Sequence, residues 1–131
     1  MASPASLPAS DPRQWSRSEG PLAGARILIG DARSDLTTAA RASLLADGAA
    51  SIVVHRSVDT VWRALARGGL SFAQIDENLP GGDAIALVRQ VRFGDLGDNP
   101  FLPILFTTAN VQGCVIQAAL AAGVDDVLVK P

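Results

Sequence analysis

From Arg26 onward, short apolar runs alternate with amphipathic stretches, and that alternation predicts the elements. Five runs read as strands: ILIG (27–30), SIVVH (51–55), FAQI (72–75), PILFTT (103–108) and VLV (127–129). SIVVH is β-branched and PILFTT nearly all apolar, as buried parallel strands are. The stretches between them carry helical periodicity. A helix is predicted over about 35–47, with Leu36, Ala40 and Leu44 on one stripe, Ser34 as its N-cap and Gly48 as its stop. A second, over about 58–67, spaces Val58, Val61, Trp62 and Leu65 helically before Gly68-Gly69. A third, over about 83–92, follows Pro80-Gly81-Gly82 and aligns Ile85, Val88 and Arg92. The fourth, over about 111–122, is Ala-rich and ends at Gly123, a natural left-handed C-cap.

Strands and helices in strict alternation predict an α/β fold, a five-stranded parallel sheet whose right-handed crossovers place helices on both faces. In such doubly wound sheets, functional groups gather outside the carboxyl ends of the strands. Asp31, Asp76, Thr108 and Lys130 each end or closely follow a predicted strand. Singly, each has an ordinary role: Asp forms turns, Thr suits strands, and a Lys near a terminus is solvated. Four at corresponding strand ends form a constellation.

Residues 1–24 are rich in Pro, Ser, Ala and Gly without a period of 2 or 3.6, so they read as a disordered arm ahead of one domain over 25–131. The arm lacks the basic start and apolar core of a secretory signal, and Trp15, its one large apolar residue, reads as untethered. No apolar run approaches the roughly 18 residues a membrane span needs.

Composition narrows the chemistry. One Cys and one His leave no disulfide framework, no Cys- or His-built zinc site and no readily built Ser-His-Asp triad. A net charge of −2 gives no basic footprint for nucleic acid. All the basic residues are Arg except Lys130, which marks that position as one needing a compact ammonium. Two carboxylates converging at one mouth repel, which favours a shared proton or a divalent cation, and hard oxygen ligands fit Mg²⁺. An ammonium and a hydroxyl beside them suit a phosphoryl group. Asp76, ending the central strand, is then the candidate nucleophile for an acyl phosphate.

On these residues the chain over 26–131 resembles the receiver domains of two-component response regulators, the CheY-like family. The matching segments are ILIGDARSD, SFAQIDENLPGGDAI, PILFTTAN and AAGVDDVLVKP. The resemblance implies a flavodoxin-like sheet of strand order 2-1-3-4-5. It implies Asp76 as phosphoryl acceptor, Asp31 as the first acid of the metal site, and the Asn78 backbone carbonyl as a further Mg²⁺ ligand. Thr108 matches the switch hydroxyl, Ala109 the small residue beside it, and Lys130 the ammonium that pairs with acceptor and phosphate. The Lys130-Pro131 bond matches one that is cis in the family.

Four departures stand out. Ala32 replaces the second acid of the metal site, which implies weaker Mg²⁺ binding and slower phosphorylation. Val127 replaces the aromatic switch residue, Gln74 stands where an apolar residue is usual, and the chain stops at Pro131, where a fifth helix normally begins. That last helix would share the first helix's face, so a second copy of the chain (a homodimer) or a longer natural protein is expected to cover the exposed apolar surface.

The implied function is a cytoplasmic signalling domain, a switch rather than a turnover enzyme. It takes a phosphoryl group on Asp76 from a histidine kinase or phosphotransfer protein and alters a contact with a downstream protein or further domain. The alternative is a pseudo-receiver, an interaction or dimerisation module with weak or no phosphorylation because of Ala32. A Mg²⁺-dependent phosphohydrolase or nucleotide binder is disfavoured, since no Gly-rich phosphate loop follows the first strand and no second Asp lies two residues after Asp76. Of the remaining residues, Glu77, Arg63, Arg67, Arg89 and Arg92 read as solvated. His55 reads as an exposed edge residue, Cys114 as a small reduced hydrophobe, and Trp62 as a filler between helices. Val115, Ile116 and Val127 lie on the output face implied by the family.

Overall fold

The structure is a computed structural model that describes residues 22–130, with only the backbone of 34–37. The arm up to residue 21, Trp15, the Lys130-Pro131 bond and the side chains of Ser34 and Leu36 lie outside the described residues. Five strands alternate with four helices: β1 (Arg26–Gly30), α1 (Ser34–Ala46), β2 (Ser51–His55), α2 (Val58–Arg67), β3 (Phe72–Asp76), α3 (Ala84–Phe93), β4 (Ile104–Thr108), α4 (Gly113–Ala122) and β5 (Asp126–Val129). All strand pairs are parallel, in the order β2-β1-β3-β4-β5. This is the doubly wound order, and no helix follows β5 among the described residues.

Period-2 alternation divides the sheet between two cores. Leu28, Ile75, Ile104 and Phe106 face α2, α3 and α4, meeting Val61, Leu65, Leu87, Val88 and Ala119 in the larger one. Ile27, Ile29 and Ile52 face α1, where Leu44, Leu45, Phe72 and Leu22 pack on them. Leu22, inside the predicted arm, also donates its N–H to the Asp47 carbonyl at 3.1 Å. The α1 face is the thinner layer. Leu128, whose register with Thr107 puts it on that face, is 52% exposed.

Local chemistry fixes where the elements start and stop. Ser57 caps α2 by accepting from the Thr60 N–H, and Asp83 caps α3 by accepting from the Ile85 N–H at 2.9 Å. Helix α1 begins at Ser34 with Arg33 in the cap position, one residue earlier than its predicted cap. Helix α4 begins at Gly113, two residues later than predicted, because Asn110 and Gln112 are used in a turn: Asn110 Oδ1 accepts from the Gln112 N–H at 2.9 Å. Gly123 ends α4 in the left-handed region, φ 108°, where a side chain would be strained. Gly30 is required for a different reason, since a Cβ there would meet Val61 Cγ2 at 2.9 Å and push β1 off α2 just before Asp31.

Three of the side-chain readings need correction. Arg92 is a tie rather than a solvated charge: it donates to the carbonyls of Gly123 (2.7 Å) and Pro100 (2.9 Å) and to Asp125 (3.0 Å), joining α3 to the loops around β4 and β5. Trp62 is 41% exposed, so it does not fill an inter-helix gap. Cys114 is also exposed. No described helix is long and apolar enough to cross a membrane.

Candidate functional site

The carboxyl ends of β1, β3 and β5 bring Asp31, Asp76 and Lys130 together. Asp31 and Asp76 are buried, 2% and 3% exposed, where an unpaired carboxylate would be costly. Their partner is one ammonium: Lys130 Nζ lies 2.7 Å from Asp76 Oδ1 and 3.3 Å from Asp31 Oδ2. Burial works to lower the Lys130 pKa, but the hydrogen bonds and charges of Asp76, then Asp31, outweigh it and hold the group above its ordinary value. Lys130 is therefore held charged. Its backbone N–H donates to the Thr108 carbonyl at 2.7 Å, extending the β4–β5 ladder far enough to aim the side chain inward.

The remaining carboxylate oxygens are met by backbone. Asp31 Oδ1 accepts from the Arg33 N–H at 2.9 Å, and Asp76 Oδ2 from the Asn78 N–H at 3.1 Å. A fourth side chain completes the group. Thr107 is fully buried and donates its hydroxyl to Asp76 Oδ1 at 2.7 Å. The register makes this contact unavoidable, because Asp76 pairs with Thr107 across β3 and β4, and paired residues of a parallel ladder share a face.

No protein-family model and no curated protein matches the sequence. Solved structures do match. A protein assigned as a response regulator in Chloroflexus aurantiacus J-10-fl is 26% identical, with TM-score 0.73 over 82% of this chain and 86% of that one. The receiver domain of a sensor histidine kinase from Pseudomonas aeruginosa PAO1, with magnesium in its active-site cleft, is also 26% identical, with TM-score 0.70 over 83% and 87%. A CheY-like receiver domain protein from Methanospirillum hungatei JF-1, at 18% identity, superposes with TM-score 0.73 over 82% and 85%. The chain has the fold of a response-regulator receiver domain.

Within this receiver fold, Thr108 lies on the other side of the sheet from Asp76. It points to the α2–α4 side and donates to Glu77 Oε2, so Glu77 is half-buried and engaged rather than solvated. The Thr108 hydroxyl also accepts from the Asn110 N–H at 2.9 Å, which ties it to the turn leading into α4. Ala109 is exposed beside it, and Asn78 is exposed beyond Asp76. Val115, Ile116 and Val127 are half-buried, and His55, at the end of the β2 edge strand, is half-buried too.

The sequence pattern does not single out Thr107, which lies within the apolar run PILFTT. Strand parity could have found it, since the residue facing Asp76 and the residue facing Glu77 must be adjacent in β4. Choosing between them needs the register, which apolar strands leave open.

The donors present fit Mg²⁺ in kind. Two buried carboxylates are hard oxygen ligands, and one ammonium between them leaves the group with net negative charge. Ala32 adds no oxygen, and among the described residues no three His, Cys, Asp or Glu side chains gather as a metal cluster.

Proposed function

We propose that the protein is a phosphorylation switch in which Asp76 accepts a phosphoryl group from a histidine kinase or phosphotransfer protein. The observation that carries this reading is the Lys130 ammonium shared by two buried carboxylates at the mouth of a receiver sheet. A carboxylate already paired with an ammonium keeps its countercharge when it becomes an acyl phosphate. Asp31, Asp76 and the Asn78 carbonyl would hold Mg²⁺, which neutralises charge on the incoming group.

The switch is the Thr108 hydroxyl. It is held by Glu77 and tied through Asn110 to the start of α4, so rotation toward a phosphoryl group on Asp76 moves the β4–α4 turn and the surface carrying Val115, Ile116 and Val127. The altered surface then meets a downstream protein or a further domain. Incubation with Mg²⁺ and a small acyl phosphate, followed by intact-mass measurement, tests the acceptor: one phosphoryl group is expected on wild type and none on Asp76→Asn. An unmodified wild type, or an equally modified variant, overturns it.

Ala32 supports a second reading, a pseudo-receiver whose contacts do not depend on phosphorylation. It predicts no Mg²⁺ response at millimolar concentration and partner binding unchanged in Asp76→Asn.

A further inference from the structure

We propose that Thr107 is a positioning residue for Asp76: its hydroxyl, with the Lys130 ammonium, occupies Oδ1 so that Oδ2 is the oxygen that takes the phosphoryl group. The proposal rests on the acceptor reading above. Oδ1 receives two short side-chain contacts, from Thr107 Oγ1 and Lys130 Nζ, both at 2.7 Å, whereas among the described residues Oδ2 receives only the Asn78 N–H at 3.1 Å. A lone pair engaged by a donor is a poorer nucleophile, so the less engaged oxygen attacks. Thr107 is wholly buried on a central strand, where Val would fill nearly the same space without a hydroxyl to satisfy. The hydroxyl is what the position contributes.

In the forward step an Oδ2 lone pair bonds to phosphorus, and the bond from phosphorus to the donor's leaving group breaks with its electron pair going to that group. Oδ1 becomes the carbonyl oxygen of the acyl phosphate and still accepts from Thr107. In hydrolysis, water attacks phosphorus and gives its proton to solvent, the Oδ2–phosphorus bond breaks, and its electron pair returns to the carboxylate as inorganic phosphate leaves. The charge regained is spread onto Oδ1. A hydrogen bond to an ionised acceptor is roughly twice as strong as one to a neutral carbonyl, so Thr107 favours the departing carboxylate over the acyl phosphate. Thr107 thus shortens the lifetime of the phosphorylated state.

The test compares wild type, Thr107→Val, Thr107→Ala and Thr107→Ser, each phosphorylated with a small acyl phosphate and Mg²⁺, freed of donor and followed by intact mass. The two variants lacking the hydroxyl are expected to hold the phosphoryl group about tenfold longer. Ser, which keeps it, is expected to decay near the wild-type rate. Before phosphorylation, the Asp76 ¹³Cγ shift should move in Val and Ala and return in Ser, a readout that general loosening would not restore. Equal lifetimes across the series overturn the role of Thr107 and leave Asp76 as acceptor. A wild type that takes no phosphoryl group overturns the acceptor reading, and this inference with it.

Discussion

Asp76 and Thr107 face each other across β3 and β4 on the α1 side of the sheet, while Glu77 and Thr108, one residue further on, face each other on the opposite side. Each rung is a carboxylate accepting from a threonine hydroxyl. Their surroundings separate them. The inner carboxylate is buried and shares Lys130 with Asp31; the outer one is half-buried, and its hydroxyl is tied to the turn before α4. Burial and a captive cation suit the first rung to chemistry, whereas a pair linked to a turn and, among the described residues, without a cation suits the second to movement. One residue of strand parity is enough to divide the two tasks.

The comparison breaks hardest at Lys130. Lys130→Met leaves two buried carboxylates without their cation and should lower unfolding free energy by about 3–5 kcal/mol in urea titrations. Glu77→Gln keeps a hydrogen-bond acceptor for Thr108 and should change it by less than about 1 kcal/mol. Equal losses would show that the two rungs do not differ.

The same contrast has a pH signature. The folded-state pKa of Lys130 is raised, so its stabilisation is complete below the ordinary lysine value of 10.5 and is lost as pH rises through the higher folded value. The chain has no Tyr and no other Lys, so little else titrates in that window. Wild type should lose stability there, and Lys130→Met should show almost no slope.

Ala32→Asp tests the metal side of the inner rung. An added carboxylate next to Asp31 should tighten Mg²⁺ binding about tenfold in an amide-shift titration. The outer rung gives a smaller effect than Lys130: Glu77→Ala leaves the buried Thr108 hydroxyl without its carboxylate acceptor, at a stability cost of about 1–3 kcal/mol. It should also raise the share of molecules in which Thr108 has turned toward the site, read from the Asn110 and Gln112 amide shifts.

Much of this was legible in the chain. The five apolar runs and the glycine stops located the elements to within a residue or two, and the solitary Lys130 pointed to its two carboxylates. Thr107, the engagement of Glu77 and the ties made by Arg92 were not legible. All three depend on which residues face each other across strands or loops far apart in sequence. Trp62 was not legible for a related reason: helical spacing shows which residues share a stripe, but not how much of a large ring is covered once the helix packs.

The most direct measurement of the division between the rungs is an amide-shift titration of wild type and Asp76→Ala with beryllofluoride and Mg²⁺. In wild type, shifts should appear at Asp76 and Thr107, and then at Thr108, Asn110 and the first turn of α4. None should appear in the variant. Shifts confined to Asp76 and its neighbours, with Thr108 and α4 unmoved, would contradict the account, as would the same response in both proteins.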